Sequence, residues 1–164
     1  MTITDALLTE FTHEASTTRK HLARIPGDRL DWQPHHKSFT TGALASHIVE
    51  CVGWTESIFS ADEFNFDPAT YRPFSASTVA ALLSEFDRKV EQGARAIEGV
   101  GDAAMSDPWR MKIRGQVRFE KPRIDVFRDF TLSHVIHHRG QLTVYLRLLD
   151  VPVPGSYGPS ADEQ

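Results

Sequence analysis

The sequence predicts an all-α protein, a four-helix bundle in one domain over residues 1–164. Three observations lead there. Four segments of roughly 20 residues repeat their apolar positions every third or fourth residue, the period of a helix with one buried face. The segments open at threonine or just after proline, and glycine or proline follows the first and third. The chain has no strand-rich half and no convincing internal repeat.

The first helix is expected from about Thr4 to Ala23, on Leu7, Leu8, Phe11, Ala15, Thr18 and Leu22, with Thr4 as its cap and Pro26-Gly27 as its stop. A polar connection from Asp28 to Phe39 follows. The second helix starts near Thr40 or Thr41 and runs to about Phe59, with Leu44, Ile48, Cys51, Val52 and Ile58 as its stripe. Residues 60–77 read as a long loop, but Phe64, Phe66, Tyr71 and Phe74 are too many aromatics for a free linker. They suggest a segment folded back over the bundle. The third helix, about Thr78 to Glu98, keeps Val79, Leu82, Leu83, Phe86, Val90, Ala94 and Ile97 in phase and closes at Gly99.

Residues 100–123 read as irregular. Met111 to Phe119 alternates apolar and basic residues around Gly115, which fits a small hairpin or a simple exposed loop. The fourth helix begins after Pro122 and runs to about Leu149. It is apolar on more than one face, as expected of a central helix or one shared with a second copy. The tail, Val151 to Gln164, is rich in proline and glycine and is expected to add little core.

Composition removes several function classes. A net charge of -4 supplies no drive toward nucleic acid or an anionic membrane. No run approaches the roughly 18 apolar residues of a membrane span. The start, Met1-Thr2-Ile3-Thr4-Asp5, lacks the basic and apolar blocks of a secretion signal, and the single cysteine, Cys51, permits no internal disulfide. The expectation is a cytoplasmic protein.

The functional signal lies in histidines. His134 and His138 are four apart on the fourth helix and so project from one face. His47 interrupts the core pattern of the second helix. Two imidazoles from one helix and one from a facing helix can hold a metal and leave a coordination position open. The spacing alone is weak, because roughly 0.4 such pairs arise by chance in a chain with this many histidines. The surrounding polar line of Thr131, His134, His138, Gln141 and Tyr145, set in an apolar helix, strengthens it. The competing reading is a hydrogen-bonded histidine cluster with no metal.

Neighbouring residues have two readings each. Gln141, three after His138, can orient a ligand imidazole or meet a substrate. Tyr145 continues the same stripe. Glu50 can serve as base or as acceptor to His47, although a helix-surface carboxylate is the favoured reading. Cys51 can approach the metal, although an inert buried thiol is commoner. His137 points about 100° away from His138 and makes a poor ligand. His35 and His36 read as solvated, and His13 and His21 as structural. Gly140 suggests close approach of another backbone, and Arg139 an ion pair across an interface. Three neutral imidazoles suit Zn²⁺ or Ni²⁺, not Mg²⁺ or Ca²⁺.

Taken together, Asp31-Trp32-Gln33-Pro34, Ser38-Phe39-Thr40-Thr41-Gly42-Ala43-Leu44-Ala45-Ser46-His47, His134-Val135-Ile136-His137-His138-Arg139-Gly140-Gln141-Leu142 and the closing Tyr157-Gly158-Pro159-Ser160-Ala161-Asp162-Glu163 resemble the DinB-like superfamily, which includes metal-dependent hydrolases of the YfiT type. The resemblance covers nearly the whole chain. It implies a bundle of up-down-down-up connectivity and a zinc or nickel site on His47, His134 and His138. It further implies a homodimer, here expected through the fourth helix, and activation of water or a low-molecular-weight thiol against a small electrophilic substrate. The other function the residues allow is a non-catalytic, metal-binding, dimerising bundle. The substrate itself cannot be read from the residues.

Overall fold

The computed structural model describes residues 1–163; Gln164, the last residue of the expected tail, lies outside them. Four helical rods form a bundle, as the apolar periodicity requires. They are α1 (Ile3–Leu22), α2 (Thr41–Ser60), α3 (Val79–Glu98) and a composite fourth rod. The first three start on threonine side chains. Thr2, Thr40 and Thr78 accept from the backbone N–H of Asp5, Ala43 and Ala81, satisfying helix-end donors that would otherwise be orphaned. Thr2, not Thr4, caps α1, and Asp5 completes the reciprocal capping box. Gly99 ends α3 as the sequence predicts.

The fourth rod is not one α-helix. It comprises α4 (Arg123–Phe127), a π-helical segment (Arg128–Ser133) and α5 (His134–Leu148). The π segment ends one residue before His134. Its wider turn alters the angular register between Phe127 and the histidines, which a uniform helical wheel cannot anticipate.

Around the bundle the order is α1, α3, α2, α5, each packed on the next, and α5 closes on α1. Consecutive α1 and α2 therefore lie across the core from each other, and the chain between them crosses one end. The start of α2 is held tightly there. Gly42 donates to the Leu30 carbonyl at 2.8 Å, and a Cβ on Gly42 would come within 3.1 Å of that oxygen. The most buried helix is α2, where Leu44, Ala45, Ile48, Val49, Cys51 and Val52 are 1% exposed or less. The fourth rod leaves Val144 and Leu148 of α5 open to solvent.

The purely helical expectation needs correction, because a three-stranded sheet caps one side. Strand β2 (Pro108–Ile113) is central, between β1 (Glu63–Phe66), parallel to it, and antiparallel β3 (Gln116–Pro122). The hairpin expected near residues 111–119 is longer than predicted. Arg114 and Gly115 both take positive φ, the geometry of a tight two-residue hairpin turn. Strand β1 falls in the segment expected to be a loop. Four residues are too short to announce a strand, and only pairing with β2 makes them one.

Arg123 locks this sheet end to α2. Its buried guanidinium donates to the carbonyls of Ile58 and Ala61 and to Asp62, filling acceptors at the C-terminal end of α2. The tail contributes more than expected, since Val153 and Pro154 are buried.

Candidate metal centre

His47 and Cys51 are one turn apart on α2, and His134 and His138 are one turn apart on α5, the helix packed against it. The three imidazoles gather with ring centroids 4.7–5.1 Å apart. The Nε2 atoms of His47 and His134 lie 3.4 Å from each other, and Cys51 Sγ lies 3.7 Å from His47 Nε2. Donor atoms of His47, Cys51 and His134 all fall within 4.8 Å of one another, close enough to bind a metal.

These separations fit a first-row cation. With Zn–N near 2.0–2.1 Å and Zn–S near 2.3 Å, tetrahedral ligands sit about 3.3–3.4 Å apart for two nitrogens and about 3.6 Å for nitrogen and sulfur. By donor-atom distances the triad is His47, Cys51 and His134, and His138 packs its ring against both histidines.

Hydrogen bonds behind the rings choose their tautomers. His138 Nδ1 lies 2.7 Å from Gln141 Oε1, so Nδ1 carries the proton and Nε2 keeps its lone pair. His47 Nδ1 faces Glu50 Oε2 at 3.4 Å, with the same consequence for its Nε2. Burial first, and then the neighbouring His138, His47 and His137, push the His134 imidazole down to about 4, against a hydrogen bond to the Phe130 backbone. Burial also lowers His138, against the Gln141 hydrogen bond. Both rings are thus held neutral, the form a metal requires. The Cys51 thiol is pushed up to about 12, first by burial and then by Glu50. Cys51 is a thiol unless a cation displaces its proton.

Glu50 is not the surface carboxylate the sequence favours. Tyr71 donates its hydroxyl to Glu50 Oε1 at 2.5 Å, and the Phe74 backbone N–H donates to the same oxygen at 3.0 Å. Burial, then the Glu50 contact, raises the Tyr71 phenol above its usual range, so it remains a donor. The folded-back aromatic segment thereby clasps α2 beside His47. Tyr71 has no helical period to announce it; only the density of aromatics in residues 60–77 hints at it.

Other expected positions fall elsewhere. Tyr145 leaves the metal cluster. Its hydroxyl donates to the Phe39 carbonyl at 3.1 Å, and its ring meets Trp32 edge-on. The ring of Phe39 in turn lies 5.9 Å from His47. Thr131, at the head of the predicted polar stripe, is buried with its hydroxyl unpartnered. His137, His35, His36 and His13 are exposed, which for His13 departs from the structural role expected of it. His21 is fully buried, with Nδ1 on the Thr17 carbonyl at 2.9 Å.

Arg139 does not reach across an interface. It is buried against Glu14 of α1, 2.6 Å from Oε2, and also donates to Thr18 and Tyr157. Gly140 faces open space and not another backbone.

A cavity of about 230 Å³ opens beside His47 and Glu50. Trp54, Phe64, Tyr71, Trp109, Met111 and Phe130 contribute to a mainly apolar wall. Trp54 also packs on His134, 5.5 Å between ring centroids, so the same indole borders both cavity and cluster. Of these, Phe64 and Tyr71 stand out in sequence through the aromatic density of residues 60–77, whereas single aromatics such as Trp54, Trp109 and Phe130 read as core.

Comparison with known proteins agrees with this architecture. The model of the DinB family matches residues 1–164. An uncharacterized protein, YrdA of Bacillus subtilis (strain 168), is 26% identical over 163 residues, covering 97% of this chain and 90% of YrdA. Among solved structures, a DinB-like protein from Bacillus cereus ATCC 10987 superimposes with a TM-score of 0.75 at 22% identity, covering 95% of this chain and 98% of that one. The DinB-like protein YjoA from Bacillus subtilis gives a TM-score of 0.70 at 16% identity, covering 97% and 98%. At these identities the two structures speak to the fold alone. Among the described residues, no helix is long and apolar enough to cross a membrane.

Proposed function

The chain belongs to the DinB family, and from that premise we propose that it is a metal-dependent enzyme acting on a small electrophile. His47, His134 and His138 are the proposed ligands of a zinc or nickel ion. The observation that carries the reading is the juxtaposition of two features: convergent imidazoles with their outer nitrogens tied back, and an apolar cavity that His47 itself lines. A closed structural site has no use for such a cavity. Bound there, the cation would supply either a water whose pKa is lowered to about 7 or a seat for the thiolate of a low-molecular-weight thiol.

The protein's own residues have definable tasks in this scheme. Gln141 and Glu50 orient His138 and His47 through Nδ1. Tyr71 and the Phe74 N–H hold Glu50 in place. Trp54 and Phe130, 6.0 Å apart, shield the cluster's cavity side from water. Exposed Val144 and Leu148 on α5 support the further reading that a second copy docks on that helix.

A second reading is favoured by one observation, the 3.7 Å separation of Cys51 Sγ from His47 Nε2. If Cys51 and all three histidines bind together, the tetrahedron is closed and the metal is structural. The deciding experiment loads the protein with Zn²⁺ or Ni²⁺ and measures turnover of esters, amides and thiol-acceptor electrophiles, with and without added thiol. Metal-dependent turnover that His138→Ala abolishes supports the enzyme. Metal uptake without turnover on any of these, with a raised Tm as its only effect, supports the structural site.

A further inference from the structure

The cavity beside His47 has a shape and chemistry that select their occupant. An enclosed apolar void of about 150 Å³ accommodates benzene. At about 230 Å³, this one has room for a substituted ring or a fused pair, and is too small for a nucleotide or a peptide. Neither lysine nor arginine contributes to its lining among the described residues, and its one carboxylate, Glu50, already accepts from Tyr71 and Phe74. An anionic ligand would shed its hydration there without finding a counter-charge.

Trp109, 2% exposed, closes the wall at one end. Trp109 lies away from the histidines. From it a chain of rings runs through Phe119, Phe130 and Trp54 to His134, with successive centroids 6.3, 5.3, 6.0 and 5.5 Å apart. A ligand in the cavity therefore lies along a wall of rings that ends at the histidine cluster.

We propose that the substrate class is a small, neutral aromatic compound. Its ring packs among Trp54, Phe64 and Phe130. This assignment rests on reading the histidine cluster as a reaction centre, but the binding it requires does not depend on metal or turnover.

The test is calorimetric titration of the full chain, stripped of metal by a chelator, with acetophenone, ethylbenzene and 4-acetylbenzoate. Acetophenone and ethylbenzene are expected to bind, and 4-acetylbenzoate to bind more weakly. Ser57→Phe, which fills the cavity, should abolish binding, and Met111→Trp on β2 serves as a second filling variant should the first not fold. No binding of either neutral probe, tighter binding of the carboxylate, or binding indifferent to both filling variants overturns the cavity as the substrate site. Probe binding by a protein that takes up no metal would sink the metal-dependent activity alone, and metal-dependent turnover without probe binding would sink this assignment alone.

Discussion

His47 and His134 are 87 residues apart in the chain, yet their Nε2 atoms stand 3.4 Å from each other. Neither partner offers the other a charge or a second proton donor when both rings have their protons on Nδ1. Two lone pairs that close would repel, and a cation between them relieves the repulsion. Metal binding should therefore require both residues. His47→Ala and His134→Ala are each expected to abolish stoichiometric uptake of Zn²⁺, measured by competition with a chromophoric chelator. Full uptake by either variant would remove that residue from the ligand set.

Cobalt substitution distinguishes Cys51 from His138 as the third ligand. A Co²⁺–thiolate bond gives an intense near-ultraviolet charge-transfer band that nitrogen ligands do not. If His138 is the third ligand and Cys51 stays a thiol, as its burial favours, Co²⁺-loaded protein lacks that band and Cys51→Ser leaves the spectrum unchanged. A strong band lost in Cys51→Ser would place sulfur on the metal.

The carboxamide behind His138 and the carboxylate behind His47 tune the centre without touching it. Gln141→Leu removes the 2.7 Å partner of His138 Nδ1. It is expected to lower metal affinity about 10- to 100-fold, the usual effect of losing such a partner. Tyr71→Phe removes one of the two donors to Glu50 Oε1 and should have a smaller effect in the same direction. Unchanged affinity in Gln141→Leu would show that the ring needs no external orientation.

The metal-free protein should lose stability in acid. In the unfolded chain the His134 imidazole titrates near 6.5, but in the fold burial and neighbouring imidazoles push it down to about 4. His138 and the buried His21 are lowered as well, both chiefly by burial. Between these limits the unfolded state binds protons that the folded state refuses. The contribution is whole above about pH 6.5 and is lost as pH falls toward 4. Denaturant midpoints of chelated protein should decline across that window, and less steeply in His134→Asn. A flat profile from pH 7 to 4 would contradict it.

Arg139 and Glu14 tie α5 to α1 inside the core, with side chains 2% and 9% exposed. Removing one partner strands the other charge, so Arg139→Ala should cost about 3–5 kcal/mol. The double change Glu14→Leu with Arg139→Met leaves no stranded charge and should cost less than the single one. Urea unfolding of both variants measures the difference; a double variant less stable than Arg139→Ala would reverse the argument.

Assembly has its own test. Val144→Glu with Leu148→Glu places two charges on the exposed apolar strip of α5. If a second copy docks there, sedimentation should show a dimer for the native chain and a monomer for the variant. A native monomer at micromolar concentration would retire the idea.

The legible part of this molecule is the part written in local periodicity. The apolar repeats of Leu82, Phe86 and Ile97, or of Leu44, Ile48 and Val52, locate helices because a buried stripe recurs every turn whatever it packs against. Threonine caps and Gly99 locate their ends for reasons confined to one turn. The four-residue spacing of His134 and His138 was visible for the same reason. Strand β1 was not, because its hydrogen bonds belong to β2, reached only after α3. The π-helical turn before His134 was not, because it answers to packing around Phe127 and Phe130 and to no signal of its own sequence.

By itself, then, the sequence determined four helical rods, the phase of the first three and the two histidine-bearing faces, all of which follow from interactions between residues within a few positions of one another. Only the tertiary structure decided that α5 meets α2, that Cys51 joins His47 and His134, and that Glu50 is clasped by Tyr71 from a distant loop. It also decided that Arg139 turns inward to Glu14. Each of these is a long-range pairing whose energy depends on where a second segment lies, and that position is settled by the packing of the whole core, not by the residues on either side.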